Sequence, residues 1–175
     1  RDDYRRAVDT LRAQVPHIAL TTDINVGFPT ETEEDFEMTR ALAEEIGFDN
    51  SFIFKYSPRP GTPAEKMKDD VSAEEKMRRN RVLLEEQDIH GLAINGRCVG
   101  TDVEVLVEGV SLRNKDRWAG RSGTDKIVFF DPVPGLQAGD LVQVRIDRIR
   151  AQTLYGKVKE KGMPCGTRTR PDVKH

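Results

Sequence analysis

The hydrophobic pattern changes period once along the chain. Before about residue 95, helical spacing alternates with short β-branched runs. After Cys98, apolar residues recur at every second position. Tyr4, Val8 and Leu11 predict a helix over residues 2–14, closed by Pro16. Ile18 to Val26, rich in Ile, Thr and Val, predicts a buried strand ended by Gly27 and Pro29. Thr32 with Asp35 three positions on forms a capping-box start, and Glu33, Glu34 and Asp35 suit the first turn of the helix that follows. Phe36, Ala43 and Ile46 share one face of it, and Gly47 is its C-cap. Phe48 to Ser57 predicts a second strand, with Phe52, Phe54 and Tyr56 alternating and Ile53 between them. Strand, helix, strand in this order is a βαβ unit with parallel strands. Three prolines then shape the loop Ser57-Pro58-Arg59-Pro60-Gly61-Thr62-Pro63. Ser72 with Glu75 caps a linking helix over 72–94, with Met77, Val82, Leu83, Leu84, Ile89 and Leu92 as its apolar positions and Asn95-Gly96 as its stop.

In the second half, Val103, Val105 and Val107 alternate with Asp102, Glu104, Leu106 and Glu108, and Val142, Val144 and Ile146 repeat the pattern. With Trp118 to Arg121, Lys126 to Phe130 and Thr153 to Lys159 they make five short strands and no helix, which predicts a small closed barrel of the oligonucleotide-binding (OB) kind. The fold class is therefore α/β followed by all-β: residues 1–96, then a barrel over 97–160, then a tail over 161–175 expected to be disordered.

Composition sharpens this division. The 175 residues are 37% hydrophobic and 33% charged, the balance of a chain that buries a core, and nothing resembles a signal sequence or an apolar span. A cytoplasmic location is the expectation. The net charge of −2 conceals an acidic first part and a basic second part: residues 1–96 hold 13 basic and 20 acidic side chains, residues 97–161 hold 12 and 9. That asymmetry suggests two units with different partners. Cys98 and Cys165 have no CxxC spacing, and the three histidines lie on different elements, so neither a metal site nor a catalytic triad can be assembled.

The candidate chemistry lies at two places. Val26-Gly27-Phe28-Pro29 leaves the carboxyl end of a strand and leads to a helix start, a place where ligands bind in α/β sheets and equally an ordinary turn. Arg59, between two prolines, can hold a guanidinium against a carboxylate or phosphate or simply complete a turn. In the barrel, Arg113, Lys115, Arg117, Trp118, Arg121 and Lys126 interleave cations with an exposed-looking aromatic, as a nucleic-acid surface does. A solvated hairpin face has the same composition.

Four motifs in order carry a resemblance: Asp23-Ile24-x-Val26-Gly27-Phe28-Pro29-x-Glu31-Thr32-Glu33-Glu34-Asp35-Phe36, Tyr56-Ser57-Pro58-Arg59-Pro60-Gly61-Thr62-Pro63-Ala64, Val105-Leu106-Val107-Glu108-Gly109, and Gly120-Arg121. Over about residues 1–160 the chain resembles the methylthiotransferase family of radical S-adenosylmethionine (SAM) enzymes, and the Pro-rich loop resembles its tRNA-modifying members. The resemblance implies that residues 1 to about 70 are the closing βα units of a radical-SAM partial barrel and that residues 97–160 are a TRAM domain binding the tRNA anticodon stem-loop. It implies SAM and 4Fe-4S clusters as cofactors and, as reaction, addition of a 2-methylthio group to N(6)-isopentenyladenosine beside the anticodon. Asn25, Gly27, Phe28, Pro29 and Glu31 fall on the SAM-holding strand end, and Arg59 joins the barrel cations as a substrate contact. The family's cluster-binding CxxxCxxC is not in the sequence, so the chain is expected to be a fragment, monomeric, inactive alone and reliant on a missing N-terminal part. Thr30 stands where glycine is commoner in the family, and Asp125 where asparagine is. A non-catalytic RNA-binding piece, or a sibling acting on threonylcarbamoyladenosine or a ribosomal protein, are the alternative readings.

Overall fold

A computed structural model describes residues 2–112 and 114–161. Contacts divide the chain between Gly91 and Leu92 into two compact units.

The first unit opens with α1 (Asp2–Gln14), β1 (Thr21–Val26), α2 (Glu33–Ile46) and β2 (Asn50–Lys55), then a short 3-10 turn (Pro63–Lys66) and α3 (Ala73–Gly96). β1 and β2 are parallel, paired from Thr21 with Asn50 to Val26 with Lys55, so the βαβ unit forms as its order requires. The capping box of α2 closes in both directions. The Thr32 hydroxyl accepts from the Asp35 N–H at 3.1 Å and the Asp35 carboxylate accepts from the Thr32 N–H at 3.0 Å, while Gly47 ends the helix in the left-handed region. One face of the two-stranded sheet is dry. Ile24, Val26 and Ile53 pack with Phe36 of α2 and Leu83 of α3, and a second cluster joins Val8, Ile46 and Phe48. Phe36 is 1% exposed, and burying a ring of that size contributes about 2–3 kcal/mol. The other face carries Thr21, Asp23, Asn25, Phe52 and Phe54, all exposed.

α3 departs from the apolar periodicity read in the sequence. Met77, Leu84, Ile89 and Leu92 are exposed, whereas Lys76, Arg79, Leu83, Gln87, Gly91 and Asn95 form its buried stripe. The stripe keeps the spacing of a helix face but is mostly polar, because its partners are carboxylates and carbonyls as well as side-chain carbon. The helix runs past Ile94 to Gly96, and its last residues belong to the second unit: the Asn95 amide donates to the Arg150 and Ala151 carbonyls at 2.9 and 3.0 Å. By contacts, residues 92–96 of α3 therefore go with the second unit.

The second unit is a closed five-stranded barrel of β3 (Asp102–Val110), β4 (Trp118–Ser122), β5 (Ile127–Phe130), β6 (Leu141–Arg150) and β7 (Thr153–Lys161), ordered β3-β4-β5-β7-β6 and back to β3. All neighbours are antiparallel except β5 and β7, an OB-like arrangement. Val105, Val107, Val128, Phe130, Val142, Val144, Ile146 and Leu154 fill it, each at most 2% exposed. Gly156 is required by the crowding between β6 and β7, since a Cβ there would lie 2.1 Å from the Arg145 carbonyl oxygen. The expected tail beyond residue 161 lies outside the described residues, as does Cys165.

Candidate functional site

At the end of β1 the chain turns on Gly27, with φ +72°. A Cβ at Gly27 would sit 2.2 Å from Cγ of Lys76, so both conformation and space demand glycine. Lys76 lies beneath the turn with its aliphatic stem against Gly27, its ammonium 2.6 Å from both Asp69 carboxylate oxygens and 5.2 Å from the Tyr56 ring centroid. Phe28 is exposed and meets Tyr56 edge-on, centroids 5.1 Å apart, and the Tyr56 hydroxyl donates to the Ala64 carbonyl at 3.0 Å. Pro29 is buried. Thr30, a β-branched residue, is held at φ +74° while its N–H donates to Asp70 at 2.8 Å.

Glu31 binds this turn together. One carboxylate oxygen accepts from the N–H groups of Gly27 (2.9 Å) and Phe28 (3.3 Å), and the other accepts from Arg79 of α3 at 2.6 Å. Arg79, its side chain only 5% exposed, also donates to Glu75 at 2.7 Å and Glu33 at 3.2 Å. Burial works against the Arg79 charge, but hydrogen bonds to Glu31 and Glu75 outweigh it and leave the guanidinium more firmly protonated than usual. Arg78 joins the network through Glu33 and Glu75, and its hydrogen bonds, followed by those of Arg79, hold the Glu75 carboxyl down to about 2. The guanidinium carbons of Arg40, Arg78 and Arg79 lie 5.4–5.9 Å from the centre of the Phe36 ring.

This geometry separates the strand-end residues by what they offer. Glu31 is spent on the turn, so it shapes the site, whereas Asn25 stands on the open face of β1 beside Phe54, its register partner on β2. An exposed amide next to exposed aromatic rings suits the polar edge and flat face of a nucleoside, so the residues present fit an adenosyl ligand. They do not fit an iron–sulfur cluster. Among the described residues no group of three or more His, Cys, Asp or Glu side chains is placed to hold a metal ion, and Cys98 packs against the barrel core. Arg59 is exposed on its loop, where its carbonyl accepts from the Thr62 N–H and hydroxyl.

On the barrel, Trp118 requires a correction. It shares the inward face of β4 with Gly120 and Ser122 and packs against the core, so its half-buried ring is not the exposed platform that its neighbours suggest. Arg121 is paired with Glu108 at 3.4 Å and Asp125 at 3.3 Å. Lys115 is exposed in the β3–β4 loop, Lys126 is half-buried between β4 and β5, and Arg113 lies outside the described residues.

The outward aromatics are two residues that cation-counting passes over. Phe129 and Tyr155 face each other across the parallel β5–β7 pair, centroids 5.4 Å apart and tilted by 32°. Three guanidiniums converge on Tyr155: Arg148 at 4.2 Å from the ring centroid, Arg117 at 5.9 Å and Arg150 at 6.0 Å. Arg148 and Arg150 are there because of a bulge. Register shifts between Ile146 and Arg148, so Asp147 is the extra residue, Arg148 stands opposite Tyr155, and Ile149 returns to the core side. The hydrophobic phase carried a trace of this, since Val142, Val144 and Ile146 are followed by Ile149 and not by an apolar residue at 148.

Residues 96–159 match the family model of the TRAM domain. Over 158 residues, 90% of its length, the chain is 46% identical to a tRNA-2-methylthio-N(6)-dimethylallyladenosine synthase of Acetivibrio thermocellus, of which it covers 33%. It is 44% identical to the enzyme of that name from Akkermansia muciniphila (95% of the chain, 35% of the relative) and 45% identical to that of Bacillus mycoides (91% and 31%). The chain thus spans about a third of the length of the curated relatives it matches.

Proposed function

Over the third of their length that it spans, the chain belongs to the tRNA-2-methylthio-N(6)-dimethylallyladenosine synthase family, and from that membership we propose that it is the tRNA-gripping and SAM-facing part of such an enzyme. The observation that supports this best is that the similarity extends over 95% of the chain, and so over both units and not the barrel alone. The proposed whole-protein reaction is addition of a 2-methylthio group to N(6)-isopentenyladenosine next to the tRNA anticodon, in the cytoplasm. When bound, SAM and a 4Fe-4S cluster supply the radical that activates the adenine C2–H bond. Cys98, the free cysteine among the described residues, packs against the barrel core and is given no part in holding the cluster.

What the chain's own residues contribute is binding and orientation. The first unit is the closing part of a radical-SAM partial barrel, with the open β1–β2 face toward its interior. Asn25 offers an amide to the SAM nucleoside there. Gly27, Phe28 and Pro29 set the path of the strand end, and Glu31 with Arg79 holds that path rigid. The TRAM barrel draws tRNA in through the positive field of its loops, with Lys115 and Arg117 beside the β3–β4 turn and Lys126 between β4 and β5. Arg59 adds a phosphate contact from the first unit.

Two measurements test the reading. In a strain lacking the full gene, nucleoside analysis of bulk tRNA should lose the 2-methylthio form and accumulate the unmodified isopentenylated base. An unchanged profile, or loss of a threonylcarbamoyl derivative instead, would reassign the substrate. The 175-residue chain itself should bind tRNA with an affinity that falls steeply as salt rises.

A further inference from the structure

We propose that the Phe129–Tyr155 pair on the barrel's outer face is a stacking site for an unpaired nucleobase, fenced by Arg117, Arg148 and Arg150 for the phosphates on either side of it. This deepens the tRNA-binding role and rests on it: the barrel reads a splayed nucleotide of a single-stranded loop, and not the backbone of a duplex.

Charge makes the case first. Elsewhere on the same barrel exposed arginines are matched: Arg121 by Glu108 and Asp125, Arg145 by Asp102. Among the described residues no carboxylate pairs with Arg148 or Arg150, and Arg117 reaches Asp131 only at 3.6 Å. An exposed cation over an aromatic ring gains only a little, and three guanidiniums around one ring repel one another. The cluster is therefore a poor device for stability and a good one for an anion.

Geometry supplies the rest. The three arginines come from the β3–β4 loop, the β6 bulge and the end of β6, and without the bulge Arg148 would follow Val144 and Ile146 into the core. Arg148 lies over the Tyr155 ring at 4.2 Å while Arg117 and Arg150 stand farther out. The two half-exposed rings and the Arg148 plane therefore offer a base a flat surface with cations at its margin, as single-stranded nucleic acid needs. A guanidinium plane such as that of Arg148 stacks on bases as well. A-form duplex keeps its base faces covered, so it could use only the cations. The turn bearing Arg150 is itself fixed by Asn95, 2% exposed, which makes Asn95 a positioning residue for the site.

The test uses the whole chain and two RNA probes of equal length, a single strand carrying one 2-aminopurine and a fully paired hairpin. The single strand should bind more tightly, and its 2-aminopurine fluorescence should be quenched on binding. Tyr155→Leu and Phe129→Leu should each weaken single-strand binding about tenfold without changing the slope of affinity against salt. Tyr155→Phe, which keeps the ring, should bind like the parent. Arg148→Gln and Arg150→Gln should each lower the salt slope by about one ion. Unfolding curves matching the parent certify the variants, and the fluorescence quench in the unaltered chain tests stacking if the leucine variants fail to fold. RNA binding without quenching, equal affinity for the hairpin, or indifference to Tyr155→Leu would overturn the stacking site while leaving tRNA binding in place. Absence of binding to any RNA, tRNA included, would overturn both.

Discussion

Thr30 and Gly27 occupy the same left-handed backbone region within one turn, and only one of them suits it. At φ +74° the β-branched Thr30 is strained, a condition costing of order 1–3 kcal/mol. Its N–H still reaches Asp70, so glycine at this position keeps the hydrogen bond and removes the clash. Thr30→Gly should raise the stability of the first unit by about 1 kcal/mol after the entropy cost of glycine, visible as a higher urea midpoint with an unchanged slope. The opposite exchange is severe. Gly27→Ala drives a methyl into Lys76 at a positive φ, and a loss of about 2 kcal/mol or more is expected in the same titration. Both residues were legible as members of a turn, but the strain at Thr30 emerges only from its dihedral. Trp118 shows the limit of reading a residue by its neighbours: flanked by Arg117 and Arg121 it looks like a nucleic-acid contact, yet the alternation of β4 turns it inward.

At the scale of elements, α3 is held by charge as much as by carbon. Arg79 is buried between Glu31, Glu75 and Glu33, and removing one partner of such a network leaves the others desolvated and unpaired. Arg79→Met should cost about 3 kcal/mol or more and loosen the Gly27–Phe28 N–H groups, seen as faster amide exchange at those two residues. By contrast Arg81→Ala, at an exposed pair 3.9 Å from Glu85, should change stability by less than about 0.5 kcal/mol. The same network sets a pH dependence. Glu75 titrates near 2 in the folded chain against about 4.5 when unfolded, so the unfolded state binds the proton more readily. Its stabilising contribution is complete above pH 4.5 and disappears as pH falls from there toward 2. Acid titration of the first unit should show that loss, and Glu75→Gln should flatten it. The existence of α3, its Ser72 cap and its approximate end are all visible in the chain. Its buried face is not, because a stripe of Lys, Arg, Gln and Asn at helical spacing looks like a solvated surface until the opposing carboxylates and carbonyls are known.

For the whole molecule, the contrast between the two units is one of core size and of sheet edges. The barrel closes on itself and leaves no strand edge, around a continuous core from Val105 to Leu154. The first unit has two smaller clusters and a two-stranded sheet whose outer edges have no partner strand among the described residues. Scanning calorimetry of the chain should therefore resolve the barrel as the later and sharper transition, with amides of Val105 and Val144 exchanging more slowly than those of Ile24 and Ile53. A first unit that melts last would contradict this contrast in core size and unpaired sheet edges. The division into α/β and all-β halves was plain from the change of hydrophobic period. The closure order, with β7 inserted in parallel beside β5, was not, since pairing between strands distant in sequence leaves no mark on either one.

The bulge in β6 makes the outer surface of the barrel a matter of counting. Asp147 adds one residue between a stretch in which even-numbered positions face inward and one in which odd-numbered positions do. Deleting that single residue would set Ile146 next to Arg148, as Gly156 is next to Tyr155 on β7, so Arg148 would still stand opposite Tyr155 and Ile149 would still turn inward. The extra residue bends the strand and takes neither arginine off the face it shares with Tyr155, so of all the positions in β6 it is the one the outer surface can lose.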